Sequence, residues 1–214
     1  MRNKEKDAEQ MAAAKRNFCE KAYELFSTKT IESVTLQDIA NVSSYGIASL
    51  YRYFKNKPTL VIEVATWKWG EFIDGLVARL REKESAEVMN SAEHLEFYLD
   101  IYLYLYQNHR DMLRFNQFFN IYIQSEKMDP ATLKPYQDMI MGLKTRFHDI
   151  YAKAEKDHKL RTDITEEEMF STSLHLMLAA VTRYAVGLAY REGGVDEMKE
   201  LTMQKEALMK LYSA

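Results

Sequence analysis

The chain has 214 residues, of which 47% are hydrophobic, with seven glycines, three prolines and one cysteine. A chain of this length can bury a large core, which excludes a disordered protein, and one cysteine excludes both an internal disulfide framework and a thiolate metal cluster. With so few glycines and prolines, long helices are favoured over strands, and we predict an all-α protein.

The net charge of −3 is unevenly distributed along the chain. Residues 1–57 carry ten Lys and Arg against seven Asp and Glu, whereas the remainder is acidic. This balance suits an anionic partner at the amino-terminal end. No apolar signal segment and no run of about 18 uncharged apolar residues is present, so we expect a cytoplasmic protein without membrane contact.

The first predicted helix covers about residues 8–28, and two short helices follow it. Thr35 and Asp38 form a capping-box pattern that predicts a helix over residues 36–42. The sequence SSYG at residues 43–46 then supplies turn-forming residues before a second short amphipathic helix. Two short helices around a brief turn, preceded by a longer helix, predict a helix-turn-helix.

Six more helices are predicted by apolar periodicity and by start signals. They cover about residues 57–83, 91–108, 109–124, 130–158, 166–192 and 196–212. Asn56 can cap the first of them, and Thr165 with Glu168 forms a second capping box. Pro135 lies inside the run that begins at Pro130, so we expect a kink or a delayed start there.

Residues 35–60, TLQDIANVSSYGIASLYRYFKNKPTL, resemble the DNA-binding signature of the TetR (tetracycline-repressor-type) family of bacterial regulators. The similar residues are the capped T-x-x-D-I-A and the stretch L-Y-x-Y-F-K-x-K-x-x-L. The resemblance implies an all-α fold in which an amino-terminal three-helix helix-turn-helix domain, residues 1–56, binds DNA. It also implies that residues 57–214 form a helical-bundle domain for ligand binding and dimerisation.

The resemblance further implies a homodimer that binds a palindromic double-stranded operator. The residues at DNA-contacting positions are Thr35, Gln37, Gly46, Ile47, Ser49, Tyr51, Arg52, Tyr53 and Lys57. Departures from the family pattern lie in the turn, where Ser44 replaces the usual glycine and Tyr45 a small apolar residue. We expect a conformational cost at Ser44, and at Ile47 the loss of a frequent lysine contact.

Nine aromatic residues between positions 97 and 122 suggest a pocket for a flat apolar or cationic small molecule. The predicted inducer-binding residues are Trp67, Phe72, Tyr98, Tyr102, Tyr106, Met112, Phe115, Phe119, Tyr122, Phe147 and His175. An ordinary aromatic core is the alternative interpretation, and for His175 the alternative is a hydrogen-bonded core or interface residue.

Apolar residues near the carboxyl end follow a 4-3-4-3 spacing typical of paired helices. The predicted dimer-interface residues are Leu174, Leu178, Val181, Ala185, Leu188, Leu201 and Leu208. An internal core would give the same pattern.

These observations predict a ligand-responsive transcriptional regulator, a repressor released from its operator by a small-molecule inducer. The alternative is a helical small-molecule-binding or interaction protein that has lost specific DNA binding. A helical enzyme is disfavoured because Glu155 and His158 form only a lone pair, without a phosphate loop, nucleophile elbow or zinc-binding His pair. We therefore predict no catalytic residue, cofactor or metal.

Overall fold

The computed structural model describes residues 4–187 and 196–214, and every named element within them is helical. A 3₁₀ turn spans Ile31–Ser33, and Leu160 and Ser213 form an isolated antiparallel bridge. The α-helices are α1 Lys4–Phe26, α2 Leu36–Val42, α3 Ile47–Tyr53, α4 Lys57–Ala86, α5 Ser91–Asn108, α6 Arg110–Ser125, α7 Pro130–Asp157, α8 Glu166–Val186 and α9 Glu197–Tyr212. The all-α prediction is confirmed.

The predicted capping boxes start their helices by local hydrogen bonds. The Asp38 N–H donates to the Thr35 hydroxyl at 3.1 Å, while the Thr35 N–H donates to the Asp38 carboxylate at 2.8 Å. Thr165 and Glu168 repeat this arrangement at α8. The sequence reading missed a third capping box at α5, in which the Asn90 side chain is the cap.

Two helices bear on predictions made from proline and glycine positions. α7 begins at Pro130 and runs through Pro135, so its start is not delayed, and the kink given as the other possibility at Pro135 stays a prediction. The proline removes one backbone donor, and the remaining hydrogen bonds maintain the helix. α8 ends at Val186, where Gly187 has a φ of 109° that glycine adopts without a Cβ penalty.

The described chain divides into two compact units. The first consists of Met1–Glu71 and Phe115–Asp138. In this unit α1, α2 and α3 pack together, and their fully buried side chains include Phe18, Phe26, Ile39 and Leu50. This packing fixes the helix-turn-helix on its supporting helix.

The second unit consists of Phe72–Arg114 and Met139–Ala214. α5 packs against α8 and α9, and α8 packs against α9. The carboxyl end is tied to the α7–α8 connection because the Arg161 N–H donates to the Tyr212 carbonyl at 2.8 Å. The predicted boundary at residue 56 separates a DNA-binding segment from a segment for ligand binding and dimerisation, and this division stays a proposal.

Within residues 4–187 and 196–214, no helix combines the length and the apolar character that crossing a bilayer requires.

Candidate nucleic-acid interface and ligand cavity

The recognition helix α3 is anchored on one face and open on the other. Leu50 and the following Phe54 are fully buried, and the Phe54 ring meets Phe18 of α1 edge-on at 6.2 Å. The neighbouring Tyr51 is 58% exposed, and Arg52 is also exposed. Apolar anchoring therefore turns a phenol and a guanidinium outward from the same helix.

The turn between α2 and α3 is held by side chains of α1. The Ser44 N–H donates to the Asn17 side-chain oxygen at 3.0 Å, and the Tyr45 ring lies 5.8 Å from the Phe18 ring. Ser44 does not adopt a positive φ, since His158 is the non-glycine residue with that conformation among the described residues. The expected conformational cost at Ser44 is thus wrong, because its backbone stays in an ordinary region.

Asn17 is a positioning residue that the sequence analysis missed. It lies 27 positions before Ser44, and no local pattern links the two. The Ser43 hydroxyl adds a bond within the turn by donating to the Tyr45 carbonyl at 2.5 Å. Together these bonds fix the backbone from which α3 starts.

Two cations near the end of α3 are held by their neighbours. The Arg52 guanidinium lies 4.8 Å from the Tyr53 ring centroid and donates to the Tyr53 hydroxyl at 2.7 Å. Lys57 is half-buried, and its ammonium donates to the Glu32 carbonyl at 3.3 Å. Burial lowers the Lys57 pKa, while the charges of Glu32 and others nearby oppose this shift.

The remaining predicted DNA contacts differ in accessibility. The Thr35 hydroxyl donates to the Asp38 carboxylate at 2.6 Å, so its proton is already used in the capping box. Gln37 is exposed, and its amide donates to Asn41 at 2.8 Å. Gly46 is exposed at the start of α3, whereas Ile47 and Ser49 are half-buried.

Four of the predicted inducer-binding residues belong to the first unit, where Phe115, Phe119 and Tyr122 are buried and Trp67 is half-buried. Tyr23 meets the Trp67 ring at 6.3 Å and the Phe115 ring at 5.4 Å, both edge-on. Phe119 lies 4.7 Å from Tyr136 by ring centroids. The fourth, Tyr122, is buried, and the Lys57 ammonium stands 5.6 Å from the centre of its ring.

The second unit contains a cavity of about 300 Å³. Two of the predicted residues, Tyr98 and Phe147, line it, with ring centroids 5.2 Å apart. The cavity lies among α4, α5 and α7, and its apolar lining is Ile73, Leu76, Val77, Leu80, Phe97, Tyr98, Ile101, Leu143, Phe147 and Ile150. Its composition is typical of a small-molecule site.

Polar groups line the same cavity where α4 and α5 approach each other near Glu84 and His94. The His94 Nε2 lies 3.3 Å from a Glu84 carboxylate oxygen and 3.3 Å from the Lys153 ammonium. His94 is buried, and burial lowers its pKa, with the nearby Lys153 charge adding to the effect. The cavity is therefore lined by a neutral imidazole together with the charged residues Arg81, Glu84, Arg146 and Asp149.

The other predicted inducer residues of the second unit do not line this cavity. Tyr102, Tyr106 and Met112 are buried core residues, and the Tyr102 and Tyr98 hydroxyls are 2.8 Å apart. Phe72 stacks on Tyr104 with ring centroids 6.3 Å apart. His175 is exposed on α8 and is not part of the lining of this cavity, so its contact with a ligand stays a prediction.

Most of the predicted dimer-interface residues face the interior of the second unit. Val181 and Leu201 are fully buried, and Leu208 and Ala185 are also buried. Leu174 and Leu178 are half-buried, and Leu188 lies outside the described residues. The four buried residues are covered by packing within the chain, where α5, α8 and α9 contact one another, and a dimer contact through Leu174 and Leu178 stays a prediction.

No group of three or more His, Cys, Asp or Glu side chains suited to a metal ion occurs in the described parts of the chain. Glu155 and His158 are both exposed. The lone cysteine, Cys19, is buried, and burial raises its pKa to about 12. A thiol in that environment is not activated as a nucleophile.

Residues 19–64 match the family model described as bacterial regulatory proteins, tetR family. The matched segment contains the end of α1, the helix-turn-helix and the start of α4. No curated protein sequence matches the chain significantly.

Several solved structures share the fold of almost the whole chain. A transcriptional regulator from Saccharomonospora viridis in complex with choline has a TM-score of 0.74 at 16% identity, covering 95% of this chain and 99% of that one. The transcriptional regulator FadR from Bacillus subtilis, in complex with stearoyl-CoA, has a TM-score of 0.67 at 14% identity, with 92% and 96% covered. The ketosteroid regulator KstR2 of Mycobacterium tuberculosis has a TM-score of 0.63 at 17% identity, with 94% and 95% covered.

Proposed function

We propose that this chain, a DNA-binding transcriptional regulator of the TetR family, is a repressor that binds a palindromic operator as a homodimer and is released by a small-molecule inducer. The observation that carries the proposal is the two-sided recognition helix, whose Leu50 is fully buried while Tyr51 is 58% exposed. A helix anchored in this way can enter the major groove without losing its own core.

In the proposed complex α3 contacts the operator through its outward residues. Tyr51 and Tyr53 offer hydroxyls to phosphate, and Arg52 reaches phosphate or a guanine edge. Lys57 neutralises a phosphate beside the helix. Gln37, Gly46, Ile47 and Ser49 complete the contact surface, with the Ile47 side chain suited to a thymine methyl group. Thr35 contributes by capping α2, since its hydroxyl proton is held by Asp38.

Dimerisation is proposed through exposed apolar residues of α8 and α9 rather than through the buried stripe. Leu176 is 54% exposed and Met203 is 59% exposed. Val186 on α8 and Leu211 on α9 are also exposed large hydrophobic residues. Two-fold pairing of this surface removes apolar area from water and places two recognition helices in one assembly.

The inducer is proposed to bind in the cavity among α4, α5 and α7. Its volume of about 300 Å³ lies at the lower end of the roughly 300–1,000 Å³ typical of ligand pockets. Apolar walls with His94, Arg81 and Glu84 suit an amphipathic molecule with a polar head. Structures of similar fold contain choline or stearoyl-CoA, which supports ligand binding by this fold. Release requires that the ligand bind one dimer geometry better than the other.

The test is a selection of duplexes by the full-length protein from a randomised pool, followed by titration of the enriched sequence. We expect two half-sites related by a two-fold axis and two chains bound per duplex. Tyr51→Ala should weaken this binding at least tenfold, because a hydrogen bond to a charged group is worth about 1.5–3 kcal/mol and the dimer loses two. Its melting temperature should match that of the wild type.

An enriched sequence without half-site symmetry would contradict the palindromic operator. Failure to enrich any sequence would favour the alternative, a helical ligand-binding protein without specific DNA binding. For the dimer, Leu176→Asp should produce monomers by analytical ultracentrifugation, with His175→Asp as the matched exposed control. Dimers of unchanged stability in Leu176→Asp would exclude the proposed surface.

A further inference from the structure

We propose that Tyr122 of α6 positions the Lys57 ammonium for its phosphate contact, so that an aromatic residue outside the helix-turn-helix sets operator affinity. This inference rests on the proposed function, because it presupposes that Lys57 binds DNA. Tyr122 lies 65 positions after Lys57 in the sequence, and both belong to the first compact unit.

Three observations place the lysine under the control of its surroundings. The ammonium lies 5.6 Å from the centre of the Tyr122 ring, within the range of a cation–π contact. It also donates to the Glu32 carbonyl at 3.3 Å. Glu32 belongs to the 3₁₀ turn Ile31–Ser33, which precedes the capped start of α2. The lysine head is thus fixed between the α1–α2 connection and α6.

A fixed ammonium suits phosphate binding better than a mobile one. Lysine has three N–H donors, and the Glu32 carbonyl uses one of them. The ring attracts the cation without using a donor, so the remaining N–H groups stay available for phosphate oxygens. A lysine on an exposed chain loses rotamer freedom when it contacts DNA, whereas the held Lys57 has already lost it.

The environment of Tyr122 supports a role beyond filling space. Tyr122 is only 2% exposed, so the packing around it restrains the ring that faces the cation. Burial raises the pKa of Tyr122 to about 12, which keeps the phenol neutral and leaves the ring as the partner of the ammonium. Glu126 lies just after the end of α6, and its charge, with those of Glu32 and Asp38, favours the charged form of Lys57.

The experiment measures affinity for the selected duplex in a double-mutant cycle of Tyr122→Leu and Lys57→Ala. Tyr122→Leu should weaken binding by about three- to tenfold, because a lysine released from the ring must lose rotamer freedom when it contacts phosphate. Tyr122→Phe retains the ring and should stay within about twofold of the wild type. In the Lys57→Ala background, Tyr122→Leu should have no further effect, because Tyr122 acts through the lysine.

The control is Phe119→Leu, which removes a buried ring one turn away that contacts Phe115 and Tyr136. It should alter operator affinity equally with and without Lys57, as a purely structural change does. Full additivity of Tyr122→Leu with Lys57→Ala, or an effect of Tyr122→Phe as large as that of Tyr122→Leu, would overturn the inference alone. Wild-type affinity in Lys57→Ala would overturn the inference together with the phosphate contact.

Discussion

The helix-turn-helix and the cavity of the second unit contrast in how their sequences specify them. In the helix-turn-helix, Thr35 bonds with Asp38 three residues away, and on α3 the buried Leu50 is followed by the exposed Tyr51. The cavity is lined by residues as distant as Ile73 and Ile150. The first feature follows from local hydrogen bonds and helix periodicity, and the second from which helix faces remain uncovered after packing.

This contrast explains why the number of aromatic residues in one stretch of the sequence did not predict which residues line the cavity. Phe115 and Phe119 fill the core of the first unit, although they belong to the same aromatic-rich stretch as Tyr98. Large rings remove the most apolar area from water, so a folding chain uses them to close space rather than to leave it open. A cavity arises where the helices leave space beside such rings, as they do beside Tyr98 and Phe147.

The largest expected effect separates the two faces of α3. Leu50→Ala should lower the free energy of unfolding by about 2–5 kcal/mol, since it leaves a cavity at a fully buried position. Tyr51→Ala should change it by less than about 0.5 kcal/mol, because that side chain is exposed. Urea unfolding followed by circular dichroism measures both. Equal losses would refute the two-sided description of the helix.

A pair of enlarging substitutions distinguishes the cavity from closed core. Leu99→Phe, at a fully buried position of α5, should cost about 1–3 kcal/mol of stability by overpacking. Leu143→Phe adds the same volume at the cavity wall and should cost less than about 0.5 kcal/mol, because space is available there. The melting temperatures of the two variants, each compared with that of the wild type, measure the two costs. If Leu143→Phe were as costly as Leu99→Phe, the cavity would be closed in solution.

Asn17→Ala tests the long-range support of the turn. It removes the acceptor of the Ser44 N–H and should cost about 1 kcal/mol of stability, the usual value of one such hydrogen bond. Asn17→Asp keeps an acceptor oxygen and should restore most of that loss. Operator affinity should follow the same order, as measured by fluorescence anisotropy. Identical behaviour of the two variants would show that Asn17 does not fix the turn through its oxygen.

The smallest effect concerns pH. Because burial lowers the His94 pKa below the ordinary 6.5, the unfolded chain takes up the proton first as pH falls. Stability should therefore decline below about pH 6.5 until the folded pKa is reached, and His94→Gln should remove that part of the decline. The charged groups that contact His94 are Glu84 and Lys153.

His148 provides the control of opposite sign for this pH measurement. The hydrogen bond with Glu166 raises the pKa of His148. The contribution of His148 to the stability of the fold is therefore complete at low pH, and it is lost as the pH rises through the pKa of His148 in the folded protein. Thermal unfolding between pH 5 and 8 should show a steeper acid decline in His148→Gln than in the wild type. An unchanged curve in His94→Gln would contradict the buried neutral imidazole.

The sequence predicted those features of the fold that depend on residues close to one another along the chain. The start of α2 at Leu36 and the helix-turn-helix itself could be predicted because a capping box and a turn are local. The contacts from Asn17 to Ser44 and from Lys57 to Tyr122 could not, because each joins residues that only tertiary packing brings together. The buried Val181 shows the same limit, since a heptad-like stripe does not specify whether its partner is within the chain or in a second copy.

The salt dependence of operator binding tests the central claim most directly. The logarithm of the association constant should fall linearly with the logarithm of salt concentration, and Lys57→Ala should flatten the slope by about 0.9 for each protomer bound. Lys55→Ala, which removes an exposed lysine two positions earlier, is the matched control and should change the slope far less. A slope identical in the wild type and Lys57→Ala would contradict the assignment of Lys57 to the phosphate backbone.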